Sequence, residues 1–139
     1  MTTTTNQDQI IYSQKRLTGK KILYVVSQRK YGGAQKYLLQ LTAHFMQHNE
    51  VFIAVGEAQN KDELFFSEAH ALDVEPIVLQ SLIRDVSLVK AVEATLEVRT
   101  LLTKLRPDII HINSSMAGAI GALASFLYLF DPLNKAIRV

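Results

Sequence analysis

Cysteine is absent from the 139 residues, which excludes disulfides and thiolate metal sites and is compatible with a reducing compartment. Charge of one sign is also scarce. The formal balance of +2 is too small to point to nucleic acid, and the locally basic start at Lys15, Arg16, Lys20 and Lys21 reads as a solvated cluster. Residues 1–19 lack the apolar core of a signal peptide and run through Thr2 to Thr5, so they are expected to form a disordered lead-in. Long apolar runs are few as well. Ile109 to Phe130 holds no Asp, Glu, Lys or Arg, but His111, Asn113, Ser114 and Ser115 interrupt it. The helix that remains is roughly 22 Å long at about 1.5 Å per residue, short of the roughly 30 Å of a bilayer core. A buried helix is expected there. Its small residues Ala117, Gly118, Gly121, Ala122 and Ser125 allow close approach, and Phe126, Leu127, Leu129 and Phe130 add bulk; contact of that aromatic end with lipid ranks below core packing. His44, His48 and His70 have no partners at metal-ligand spacing, so no metal is expected.

What is present is an alternation of short apolar runs with helical patterns. Ile22 to Val26 is rich in branched residues, as a strand covered on both faces should be. Ala34, Tyr37, Leu38, Leu41 and Phe45 then mark one face of a helix that begins at the glycine pair Gly32-Gly33. Val51 to Val55 is a second strand, ending at Gly56-Glu57. Lys61 to Leu72 is helical, with Leu64, Phe65, Ala69 and Leu72 as its apolar side, and Pro76 to Leu79 is a third strand. Ser87 is placed as the N-cap of a helix whose stripe runs Leu88, Ala91, Val92, Thr95, Val98, Leu102 and Leu105, and Pro107 stops it. Asp108 to Ile112 is a fourth strand, Ser115 to about Phe130 a helix, and Lys135 to Val139 the start of a fifth strand. The fold class is therefore α/β, Rossmann-like and doubly wound, with a mainly parallel sheet, helices on both faces and the first strand central. With 48% hydrophobic residues, 20–139 suffice for one domain or most of one.

Chemistry in such a sheet belongs outside the carboxyl ends of the strands. That singles out the loop from Ser27 to Gly33 and the cluster Asn113-Ser114-Ser115, which the usual strand order sets face to face across one crevice. Gly32 and Gly33 let bare backbone approach a ligand, and the first N–H groups of the next helix, at its positive dipole end, favour an anion such as phosphate. The plainer reading, that the glycines only shape the turn, carries equal weight for a lone Gly-Gly. Arg84, on the loop after the third strand, is a candidate anion contact, with a surface arginine as its equal alternative. His111 lies inside a strand and reads as a packed core residue.

Other phosphate and catalytic signatures fail. There is no Gly-x-x-x-x-Gly-Lys-Ser/Thr loop, no Gly-x-Gly-x-x-Gly, and no Gly-x-Ser-x-Gly elbow. Glu57 does sit where a ribose-binding acid is found in dinucleotide sites. A phospho-receiver would need acids after the first strand, where Ser27-Gln28-Arg29-Lys30 stands.

The combination of the first strand with Gly32-Gly33-Ala34-Gln35, the segment Leu82-Ile83-Arg84-Asp85, and Pro107-Asp-Ile-Ile-His-Ile-Asn-Ser-Ser-Met-Ala-Gly118 resembles the N-terminal lobe of bacterial family 4 glycosyltransferases over residues 20 to 139. The resemblance implies one lobe of the two-lobed GT-B architecture and transfer of a hexosyl-type sugar from a nucleotide sugar to a glycan or lipid-linked acceptor. It implies no metal and no cofactor beyond that substrate. The setting it implies is cell-surface polysaccharide or glycolipid synthesis in the cytoplasm, with peripheral contact at the inner face of the membrane. Gly32 and Gly33 then approach the donor phosphate or the acceptor, and Asn113, Ser114 and Ser115 line the same cleft. Asn113 and Met116 stand where close relatives often carry a histidine and a lysine. The family pattern continues with a Thr-x-His-Gly motif and a second lobe bearing two glutamates, so the chain is expected to be an incomplete, inactive lobe whose catalytic residues lie beyond Val139. Two other readings stay open: a non-catalytic module binding a nucleotide or anionic metabolite at Gly32-Gly33, and an interaction fragment pairing through a sheet edge.

Overall fold

Alternation of burial along the first strand organises the molecule. In the computed structural model, which describes residues 18–27, 31–57, 63–83 and 87–131, β1 (Lys21–Val26) sends Ile22, Tyr24 and Val26 to one face of a sheet and Leu23 and Val25 to the other. Every one of these five is buried, so β1 is the central strand that its unbroken apolar run demands. It pairs in parallel with β2 (Glu50–Gly56) on one side and with β4 (Ile109–Ile112) on the other; β2 pairs in parallel with β3 (Ile77–Leu79). The order among the described residues is β3-β2-β1-β4. The predicted fifth strand, Lys135 to Val139, lies outside the described residues, as do residues 1–17 of the predicted lead-in.

Helices α1 (Gly33–Phe45) and α2 (Glu63–Ala71) cover the Tyr24 face, packing Leu38, Leu39, Phe65 and Ala69 against Ile53 and Val55. Helices α3 (Leu88–Leu105) and α4 (Ser115–Leu129) cover the Leu23 face with Val98, Leu102, Ile120 and Ala124. This is a Rossmann-like, three-layered α/β fold. Its break between β4 and α4 at Asn113-Ser114 rules out a continuous apolar helix from Ile109, and among the described residues no helix is long and apolar enough to cross a membrane.

Side-chain chemistry explains several boundaries. Ser87 caps α3 by accepting from the Lys90 N–H. Arg106 ends it in the left-handed region (φ 48°), ahead of Pro107, which cannot continue a helix. Asp108 Oδ2 accepts from Lys21 N at 2.8 Å, fixing the start of β4 beside the start of β1.

All four helix faces differ from the expected ones. In α1 the buried line is Gln35, Leu38, Leu39 and Thr42, while Ala34 and Tyr37 are exposed. Thr42 is admitted to the core because its hydroxyl donates to Leu38 O at 2.9 Å, which removes the cost of burying it. In α2 and α3 the predicted Leu64, Leu88 and Val92 face solvent, and Ala94 and Leu101 are buried instead. In α4, Phe126, Leu127, Leu129 and Phe130 are exposed rather than core-forming; the inward line is Ala117, Ile120, Gly121, Ala124 and Tyr128. Gly121 sits against β4 on this inward line, where a Cβ would meet the Ile112 Cδ1 methyl.

Candidate functional site

The site grows from two strand ends. β1 stops at Val26 and β4 at Ile112, and because the strands are register neighbours (Val25 opposite Ile112), the chain leaves the sheet at both places on one level. From β4, Asn113 extends the ladder by donating its N–H to Val25 O at 2.9 Å, and its Nδ2 donates to Ala34 O at 3.4 Å in the first turn of α1. One side chain thus ties together the two loops that the sequence singled out.

Two helices begin here. Gly32 is the N-cap of α1 in an extended conformation with no side-chain cap, so the N–H groups of Gly33, Ala34 and Gln35 precede the first intrahelical bond, Lys36 N to Gly32 O. Ser114 caps α4, its hydroxyl accepting from Ala117 N at 3.1 Å, which leaves the N–H groups of Ser115 and Met116 ahead of the bond Gly118 N to Ser114 O. Neither first turn carries an acidic residue. Between the helix starts lies a cavity of about 550 Å³, within the size range of ligand pockets.

Of the residues singled out from sequence, Gly32, Gly33, Asn113, Ser114 and Ser115 all line this cavity, while Arg84 lies outside the described residues. Glu57 is exposed and does not line it. The remaining lining is Val26, Ser27, Tyr31, Ala34, Gln35 and Met116. Tyr31 and Gln35 were not singled out. Tyr31 donates its hydroxyl to Glu68 on α2 at 2.8 Å and so anchors the loop just before the glycines. Gln35 is buried, with Oε1 3.4 Å from where a Cβ on Gly32 would stand. A glutamine directly after Gly-Gly-Ala, on the inward line of the helix, was the available signal.

Neither glycine of the turn has a positive φ: Gly32 is extended and Gly33 is the first helical residue. A Cβ on Gly33 would meet nothing within 4 Å, and one on Gly32 only an ordinary contact. The backbone therefore tolerates side chains at both positions, and what glycine provides is open space in front of the helix N-terminus. Gly56 is the opposite case. A Cβ there would fall on the carbonyl oxygens of Leu82 and Ser27, so the end of β2 must be bare for the loops after β1 and β3 to pass it.

Among the described residues no Asp, Glu, Lys, Arg or His lines the cavity, and the polarity of the described lining comes from backbone N–H groups, hydroxyls and two amides. His111 packs edge-on against Tyr24 at 5.5 Å between ring centroids and does not line the cavity. Among the described residues no group of three His, Cys, Asp or Glu is placed to hold a metal. Among the described residues the lining presents hydrogen-bond donors and hydroxyls, with the Tyr31 phenol tied to Glu68.

The fold and this crevice at the strand ends define a Rossmann-like α/β domain. No family model matches the chain, and no curated protein matches it in sequence. In three dimensions it is similar to a Listeria monocytogenes protein named as a UDP-N-acetylglucosamine 2-epimerase, with a TM-score of 0.53 and 14% identity. The similarity covers 79% of this chain and 29% of that one, so the chain spans less than a third of its neighbour's length. At this identity the shared property is the fold.

Proposed function

We propose that the chain is an N-terminal, acceptor-side lobe of a nucleotide-sugar-dependent glycosyltransferase of the family 4 type, whose Gly32-Gly33 turn and Asn113-Ser114-Ser115 cluster together receive a phosphate-bearing substrate. The observation that carries this reading is the convergence of two helix starts, one uncapped and one hydroxyl-capped, from neighbouring strands on one cavity whose described lining holds no carboxylate. The fold neighbour, named for an enzyme of a nucleotide sugar, is consistent with it. In the proposed mechanism this lobe positions the substrate by N–H donors, and the chemistry needs a second lobe closing over the same crevice. A hexosyl donor, a glycan or lipid-linked acceptor, and no metal are parts of the proposal.

The test is a transfer assay with and without a matching second lobe. The 139-residue chain alone is expected to be inactive, and fusion to a donor-binding lobe to restore transfer. Transfer by the lone chain contradicts the division of labour. Failure of every fusion, together with nucleotide binding by the lone chain, favours a binding-only module.

A further inference from the structure

The side of the molecule away from the cavity is more apolar than a monomer's surface should be. α3 and α4 lie side by side on the Leu23 face of the sheet. Their seam is located by the ion pair between Arg99 on α3 and Asp131, which follows α4. At about 100° per residue, Leu88 and Val92 fall within about 20° of Arg99 on the helical wheel, and Leu96 within about 60°. All three therefore line the flank of α3 that turns toward α4, and they are 83%, 54% and 49% exposed. Across the seam, Leu123, Phe126 and Phe130 of α4 are 53%, 55% and 72% exposed, with the two phenyl rings 4.4 Å apart. The six form one two-helix patch.

We infer that this patch is the interface of a two-fold homodimer, in which the α3–α4 layer of one chain packs on that of a second copy. Area is the first argument. The six side chains leave on the order of 700 Å² in solvent, above the roughly 300–600 Å² of a typical largest patch and near the roughly 800 Å² that each partner gives a standard interface. Charge is the second. The six side chains carry none, and the Arg99–Asp131 pair in the seam between them is neutral as a pair, so laying the patch on itself brings no unpaired like charges together, as an isologous contact requires. Among the described residues the cation in the seam, Arg99, is already paired with Asp131, which leaves it little charge to offer an anionic lipid surface. Phe126 and Phe130 supply aromatic anchors of the kind that dominate interface energies. The inference is independent of what the cavity binds.

The test is light scattering and sedimentation of the 139-residue chain, with Phe126→Glu and Leu96→Glu as interface variants. A dimer at about 10 μM, weakened at least tenfold by either charge with circular dichroism unchanged, is the expected result. Because the sequence has no cysteine, a second measurement holds even if a charged variant fails to fold. Ala119→Cys, on the outer side of α4, should oxidise to a linked dimer, and Lys36→Cys, on α1, should not. A monomer up to about 100 μM, an open-ended series of aggregates, equal cross-linking from Lys36→Cys, or a monomer that co-floats with phosphatidylcholine vesicles would each overturn the inference.

Discussion

Asn113 Nδ2 donates to Ala34 O, a bond between residues 79 apart in sequence that holds the end of β4 against the first turn of α1. The two walls of the cavity are thereby fixed relative to each other before any ligand arrives. Asn113→Ala should lower the unfolding free energy by about 1 kcal/mol, the net worth of a hydrogen bond, and loosen ligand binding at the same time. Denaturant unfolding and a binding titration on the same variant measure both.

Gly33 and Gly56 should respond to the same change in opposite ways. Gly33→Ala meets open space at a helical position, so thermal stability is expected to hold or rise slightly while ligand affinity falls, and Gly33→Val should extend the loss of affinity. Gly56→Ala drives a methyl group into the Leu82 and Ser27 carbonyls and should cost about 3 kcal/mol or more. A scanning-calorimetry comparison decides it; equal stability losses would mean that Gly33 is a structural glycine after all.

Ser115→Asp separates fold from function by sign. A carboxylate in the first turn of α4 should stabilise the helix by about 0.5 kcal/mol through its dipole. The same charge faces the cavity and should weaken binding of an anion several-fold. Ser114→Ala should act differently, costing about 1 kcal/mol through loss of the cap to Ala117 N with only a small effect on the ligand.

Burial pushes the phenols of Tyr24 and Tyr128 above tyrosine's ordinary value, with nearby Tyr37 adding to the first and the Arg106 charge opposing the second. The folded chain therefore keeps these protons to higher pH than the unfolded chain. Stability from the neutral phenols is complete below about pH 10 and declines as pH rises past it. Tyr128 hydroxyl is buried with no partner among the described residues, so Tyr128→Phe should be neutral or up to about 1 kcal/mol stabilising at pH 7 and should raise the alkaline unfolding midpoint.

Strands and their order were legible because branched apolar runs bounded by Gly, Pro and polar residues have few alternatives in an α/β pattern. Helix rotation was not. Ala34 and Tyr37 completed an apolar stripe on α1, yet the core took Gln35 and Thr42, since Thr42 satisfies its hydroxyl within the helix. On α4 nearly every side is apolar, so periodicity carries no direction, and the inward face, with Gly121 against Ile112, is seen only in the packed fold. The meeting of Gly33 with Ser114 could be read from topology, since adjacent parallel strands end on one level. That neither glycine occupies the left-handed region could not, because it depends on backbone angles. Arg84 lies outside the described residues and stays an expectation.

The most direct test of the account is an amide NMR titration of the chain with inorganic diphosphate and, in parallel, inorganic phosphate. The N–H signals of Gly33, Ala34, Ser115 and Met116 should shift together and saturate, more tightly for the diphosphate, and Gly33→Val should abolish the response while the rest of the spectrum persists. No shift at any of these amides up to about 10 mM ligand, or shifts centred on Lys20 and His48 at the opposite end of the sheet, would contradict it.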